Sequence, residues 1–188
     1  MTEKTFIEPE GRVVPYITEG EGPVALVLIT DRELEADGLG VISHYLVEEA
    51  GFHVIRVGAR AGENVSRSER VEDALAVLDH LGLDDAWIGG HGYGGTLARI
   101  FASEHTDRVN GLLLLGVEDE QIALAPAIPV LIVQASEDDV TPAANAESLR
   151  ATAPERASIK RVEGAGHLFP ATHAIETAVI IEEYLDWD

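Results

Sequence analysis

The chain has 188 residues, and 34 Asp+Glu against 13 Lys+Arg give it a formal net charge of -21. Proteins that bind nucleic acid or anionic lipid draw affinity from Lys and Arg on phosphates, so an acidic chain with no basic stripe is expected to bind neither. At 46% hydrophobic it is too apolar for an acidic disordered tail, and the absence of Cys excludes disulfides, thiolate nucleophiles and cysteine zinc sites.

The start, MTEKTFIEPEGR, has no apolar signal core, and no apolar run approaches the roughly 18 residues of a membrane helix. A cytoplasmic protein built as a single domain over residues 1–188 is therefore expected. The acidic surface reads as a solvated one that aids solubility.

Along the chain, short apolar runs rich in Val, Ile and Leu alternate with amphipathic stretches. Residues 13–18 and 24–29 read as strands, 39–50 as a helix closed by Gly51, and 52–57 as the next strand. Ser66, with Glu69 three residues on, forms a capping-box pattern for a helix through Leu81, and Gly82 ends it. A strand over 86–89, a helix over 94–104 and near-continuous apolar strands over 109–115 and 130–134 follow. A helix over 143–153, a strand over 157–162 and a helix over 174–185 complete the series, with Ile175, Val179 and Ile180 expected on the buried stripe of the last helix. This order predicts an α/β fold, a doubly wound and mostly parallel sheet with helices on both faces. Ligand sites in such sheets form at the carboxyl ends of the strands.

After the strand ending at Gly89 comes Gly90-His91-Gly92-Tyr93-Gly94-Gly95 and then a helix. Two mechanisms fit this turn. A G-x-G-x-x-G pattern (Gly90, Gly92, Gly95) brings a helix N-terminus to a dinucleotide pyrophosphate, with Glu118 or Asp119 taking a ribose hydroxyl. A nucleophile elbow, G-x-S-x-G, instead projects a catalytic side chain from a strained strand-to-helix turn, here with Gly92 where the nucleophile belongs.

The surroundings of the turn resemble the α/β-hydrolase family over nearly the whole chain. Residues 79–85 leading into the turn, and 101–109 leading into Leu112-Leu113-Leu114-Leu115, are similar to that family's central segment. Ala135-Ser136-Glu137-Asp138-Asp139-Val140-Thr141-Pro142 is similar to its acid loop, which implies Asp138 as the catalytic acid and leaves Asp139 facing solvent. Gly164-Ala165-Gly166-His167 resembles its histidine loop. The resemblance implies an Asp138–His167 pair, an oxyanion loop at Thr30-Asp31, and a second oxyanion donor in the Tyr93 amide, with the Tyr93 ring lining the pocket. It implies His91 as a packing and hydrogen-bonding residue.

Four departures from the family pattern stand out. Gly92 has no side chain to attack anything. Thr30-Asp31 stands where His-Gly is usual, and two unit charges about 5 Å apart at an effective dielectric of about 20 repel by about 3 kcal/mol, so an Asp31 carboxylate opposes a developing oxyanion. The family's Asp-x-Arg-Gly-x-Gly stretch is reduced to Gly58-Ala59-Arg60-Ala61-Gly62-Glu63. Only a short loop joins Leu115 to Val130, leaving no room for a cap domain.

The expectation is a capless α/β-hydrolase-fold protein that has lost serine-hydrolase activity and binds a small molecule, with an oligomer allowed. The alternatives are a hydrolase or lyase using Asp138–His167 as general base, and dinucleotide binding at residues 90–95. Thr96 is a weak substitute nucleophile, being four residues past the elbow. Glu118 and Asp119 read as a solvated loop. No cofactor is expected, and no metal, because the histidines lack H-E-x-x-H spacing.

Overall fold

The structure, a computed structural model, describes residues 3–7, 9–34, 38–60 and 65–186. Eight strands pair into one sheet: β1 (Glu3–Ile7), β2 (Val14–Glu19), β3 (Ala25–Ile29), β4 (His53–Val57), β5 (Ala86–His91), β6 (Val109–Leu115), β7 (Val130–Ala135) and β8 (Ala157–Val162). Their spatial order is β1-β2-β4-β3-β5-β6-β7-β8. The strands from β4 to β8 are mutually parallel, while β2 joins β4 and β1 joins β2 antiparallel.

The middle strands are apolar throughout because both their faces are covered. Leu26 to Ile29 and Val130 to Val133 are without exposure, as expected of parallel strands sandwiched between helices. On one face pack α2 (Arg67–His80), α3 (Tyr93–Glu104) and α4 (Ala143–Ala151), through Val71, Ala74, Val77, Leu97, Phe101 and Leu149. On the other pack α1 (Gly40–Glu48), α5 (Phe169–Thr172) and α6 (Ala174–Leu185), through Ile42, Leu46, Phe169, Ala178 and Ile181. The doubly wound α/β fold is as the sequence predicts. So is the cap of α2, where the Ser66 hydroxyl accepts from the Glu69 amide at 3.2 Å.

Three local expectations differ. β1 has little strand signal in its sequence and exists because β2 offers it an open edge. The single turn α5, with Pro170 in its first turn, falls within what reads as a loop. In α6 the buried residues are Ala174, Thr177, Ala178, Ile181 and Leu185, and Ile175 is 52% exposed. The helix lies against the sheet on its small residues, which rotates the expected stripe by about one position.

The loop between β6 and β7, residues 116–129, holds no helix or strand. Among the described residues no helix is long and apolar enough to cross a membrane. From β3 the chain turns to β4 on one side and returns to β5 on the other, so the reversal of strand order lies at the carboxyl ends of β3 and β5. The Thr30–Asp31 loop and the turn at Gly92 emerge there.

Candidate active site

Between the end of β5 at His91 and the start of α3 at Tyr93 stands only Gly92, with φ 57° and ψ -115°. This is the strained strand-to-helix turn of a nucleophile elbow. Its glycine neighbours make the tightness possible. A Cβ on Gly94 would fall 2.1 Å from the Ile29 carbonyl oxygen, and one on Gly90 2.3 Å from the Gly94 carbonyl carbon. The start of α3 is thereby pressed against the end of β3.

Asp138 follows β7 and its side chain is wholly buried. One carboxylate oxygen accepts from the amides of Val140 at 2.9 Å and Thr141 at 2.8 Å. The other accepts from the Thr141 hydroxyl at 2.6 Å and from Nδ1 of His167 at 3.0 Å. Burial alone would push the Asp138 carboxyl up, but the Thr141 hydroxyl and amide, His167 and the Val140 amide together hold it below the ordinary carboxylate range. An ionised Asp138 fixes the His167 proton on Nδ1 and leaves Nε2 free to accept one. That Nε2 faces the elbow: a Cβ on Gly92 would lie 3.6 Å from both Nε2 and Cε1 of His167.

His91 stacks on His167, with ring centroids 4.5 Å apart. Its Nε2 donates to the His167 carbonyl at 2.8 Å. Burial, and then the neighbouring His167, hold the His91 imidazole below its usual range, so it is neutral near pH 7. His91 thus braces His167.

In the oxyanion loop the Thr30 amide donates to the Val57 carbonyl at 3.0 Å, and Nη2 of the buried Arg70 donates to the Thr30 carbonyl at 2.5 Å. Asp31 lines a cavity of about 80 Å³ together with Arg32, His91, His167 and Leu168. Its carboxylate lies 3.8 Å from Arg32 Nε. The Tyr93 amide, first in α3, has no acceptor within the helix. The Tyr93 ring departs from expectation: it is not among the walls of this cavity and lies under the Arg67 guanidinium, 5.8 Å from it.

The Thr96 hydroxyl donates to Glu118 Oε1 at 2.5 Å, so it is tied down and Glu118 is half-buried rather than solvated. Asp119 and Asp139 are exposed. Of the reduced Asp-x-Arg-Gly-x-Gly stretch, Ala61, Gly62 and Glu63 lie outside the described residues, while Arg60 Nε donates to the fully buried Asp73 at 3.1 Å and ties the β4–α2 connection to α2.

Two partners were not singled out from the sequence. Thr141 shares Asp138 with His167, and its Asp-x-x-Thr spacing is that of a local side-chain turn. Arg70 betrays itself as a charge within the apolar stripe formed by Val71, Ala74, Val77 and Leu78.

A larger cavity of about 480 Å³, between Arg99, Leu124, Asn145 and Arg156, contains none of Gly92, Asp138 and His167. Among the described residues one group, Glu72, Glu104 and His105, brings metal-ligating atoms within 4.8 Å of one another. It lies at the opposite end of α3 from Gly92 and plays no part in the site.

A glycine-tight elbow after β5, an acid after β7 and a histidine after β8 define the α/β-hydrolase arrangement. The alpha/beta hydrolase family model matches residues 27–171, and the chain belongs to that family. Among solved structures it is similar to a thermophilic esterase from Thermogutta terrifontis (16% identity, TM-score 0.81, 98% of each chain covered). It is also similar to a predicted CIB-like hydrolase from Thermoplasma acidophilum (16% identity, TM-score 0.79, 98% of each chain). An alpha-beta serine hydrolase homologue from Coxiella burnetii is similar too (20% identity, TM-score 0.75, 97% of this chain and 95% of that one). At these identities the likeness establishes the fold.

Proposed function

We propose that this chain is a small-molecule-binding α/β-hydrolase-fold protein without covalent serine-hydrolase chemistry. The observation that carries the reading is Gly92: the elbow is built, but it presents no atom able to attack a carbonyl. The short 116–129 loop supports a shallow, open site, and Asp31 adds negative charge to its wall. Purified native chain is expected to give no turnover of short-chain p-nitrophenyl esters above a His167→Ala control. Sustained hydrolysis abolished by His167→Ala overturns this reading.

That outcome would instead support a second reading, favoured by the 3.0 Å Asp138–His167 pair. The missing side chain leaves room over Gly92 for a water molecule. His167 Nε2 would take its proton as its oxygen adds to the substrate, and then return that proton to the leaving group, with no covalent intermediate. The dinucleotide reading is less well supported, because the His167 imidazole stands over the turn where a pyrophosphate would lie. Titration with NAD(H) to millimolar concentration, followed by nucleotide fluorescence, is expected to stay flat.

A further inference from the structure

The geometry points to Arg70 as a positioning residue of the site, holding the Thr30–Asp31 peptide so that the Asp31 amide is turned toward the cavity that Asp31 shares with His91 and His167. The inference rests on the reading of that cavity as the ligand site and on the two-amide oxyanion position that the family resemblance implies; what it adds is the role of Arg70.

A trans peptide is planar, with its C=O and N–H pointing in opposite directions. Nη2 of Arg70 takes the Thr30 carbonyl. The N–H of the same peptide group, that of Asp31, therefore points away from Arg70, to the side on which Asp31 joins His91 and His167 in the cavity wall. The loop has little freedom to turn over. The Thr30 amide donates to the Val57 carbonyl and the Thr30 hydroxyl to the Arg32 carbonyl at 2.5 Å, and the close approach of Gly94 to the Ile29 carbonyl fixes α3 against the same strand end. Tyr93, the first residue of α3, carries the second amide that the resemblance implies.

Arg70 is 4% exposed, and among the described residues the Thr30 carbonyl is the one hydrogen-bond acceptor of its guanidinium. Its positive charge lies directly behind the peptide whose side chain is the Asp31 carboxylate. The negative charge that the sequence places beside the oxyanion position is thus offset from the opposite side of the loop. Arg70 does from behind what the small, uncharged His-Gly loop achieves by lacking a carboxylate.

Two measurements test this. In ¹⁵N–¹H spectra of the native chain titrated with acetate, the Asp31 and Tyr93 amide protons are expected to shift. In Arg70→Met the Tyr93 response persists and the Asp31 response is lost. Arg70→Gln, which keeps a donor without the charge, retains part of the Asp31 response and serves also if Arg70→Met does not fold. An Asp31 amide that ignores acetate in the native chain, or responds equally in both variants, overturns the inference. In a Gly92→Ser background with p-nitrophenyl acetate, Arg70→Met is expected to lower kcat by about 10²-fold, the scale of one lost oxyanion donor, with KM changed less than about threefold. Arg70→Lys should recover much of that loss, and an unchanged kcat overturns the role. If Gly92→Ser is inert while the amide shifts behave as expected, the dyad chemistry fails and the positioning role of Arg70 stands.

Discussion

The imidazoles of His91 and His167 lie nearly face to face, their planes inclined by 29° and their centroids 4.5 Å apart. One ring is anchored to a buried carboxylate and the other donates to the backbone of the first, so the two rings form one hydrogen-bonded assembly. A proton on His91 is disfavoured chiefly because the ring is buried.

This makes stability pH-dependent in a stated direction. The folded pKa of His91 lies below its unfolded value of about 6.5, so above that pH both states are neutral and the ring imposes no pH dependence. As pH falls below about 6.5 the unfolded chain takes up a proton that the folded chain refuses, and stability declines until the folded pKa is reached. His53, also lowered by burial, acts in the same sense. Urea unfolding is expected to show stability falling between pH 7 and pH 5, with a shallower fall in His91→Gln. An equal slope in the two proteins would remove His91 from the account.

Asp138→Asn is expected to destabilise the fold by about 2 kcal/mol, because both carboxylate oxygens accept from donors and either amide rotamer turns an N–H toward one of them. The urea midpoint should fall with m unchanged. Histidine ¹⁵N shifts should report loss of the fixed Nδ1–H tautomer of His167.

The elbow glycines separate space from backbone strain. Gly92→Ala meets nothing closer than 3.6 Å and is expected to cost about 1–3 kcal/mol for a residue with a Cβ held at φ 57° and ψ -115°. Gly94→Ala drives a methyl to 2.1 Å from the Ile29 oxygen and is expected to cost about 3 kcal/mol or more, or to prevent folding. Thermal denaturation of the two variants side by side checks the order, which must not invert.

Asp73 is fully buried against Arg60 at 3.1 Å and Arg12 at 3.7 Å, and burial raises its pKa despite these partners. Arg60→Met leaves a buried carboxylate poorly matched and is expected to destabilise by about 3 kcal/mol at pH 7. Adding Asp73→Leu should recover most of that loss. If the double variant is no more stable than the single one, packing rather than charge explains Arg60.

Most of the fold is legible in the sequence because its signals are local: apolar runs buried on both faces, Ser66 with Glu69, and glycines at helix ends. The candidate site is legible where motif and loop coincide, as at Asp138 and His167. What escapes is set by partners distant in sequence. β1 depends on the open edge of β2, the rotation of α6 depends on its packing against α1, and Arg70 meets Thr30 only when α2 packs against α3, β2 and β4. Asp31 shows the same limit from the other side. Its charge is readable from the sequence, but the cation behind its peptide is not.

The two ends of the sheet carry a further consequence. A terminal strand exposes a row of unpaired amides and carbonyls that invites another strand, and a lysine there discourages such pairing because burying its ammonium against a second sheet is costly. The sequence contains only two lysines, Lys4 and Lys160. The fold assigns one to β1 and the other to β8, its two outermost strands. Lys160, exposed on β8, disfavours sheet extension between copies of this chain at that edge.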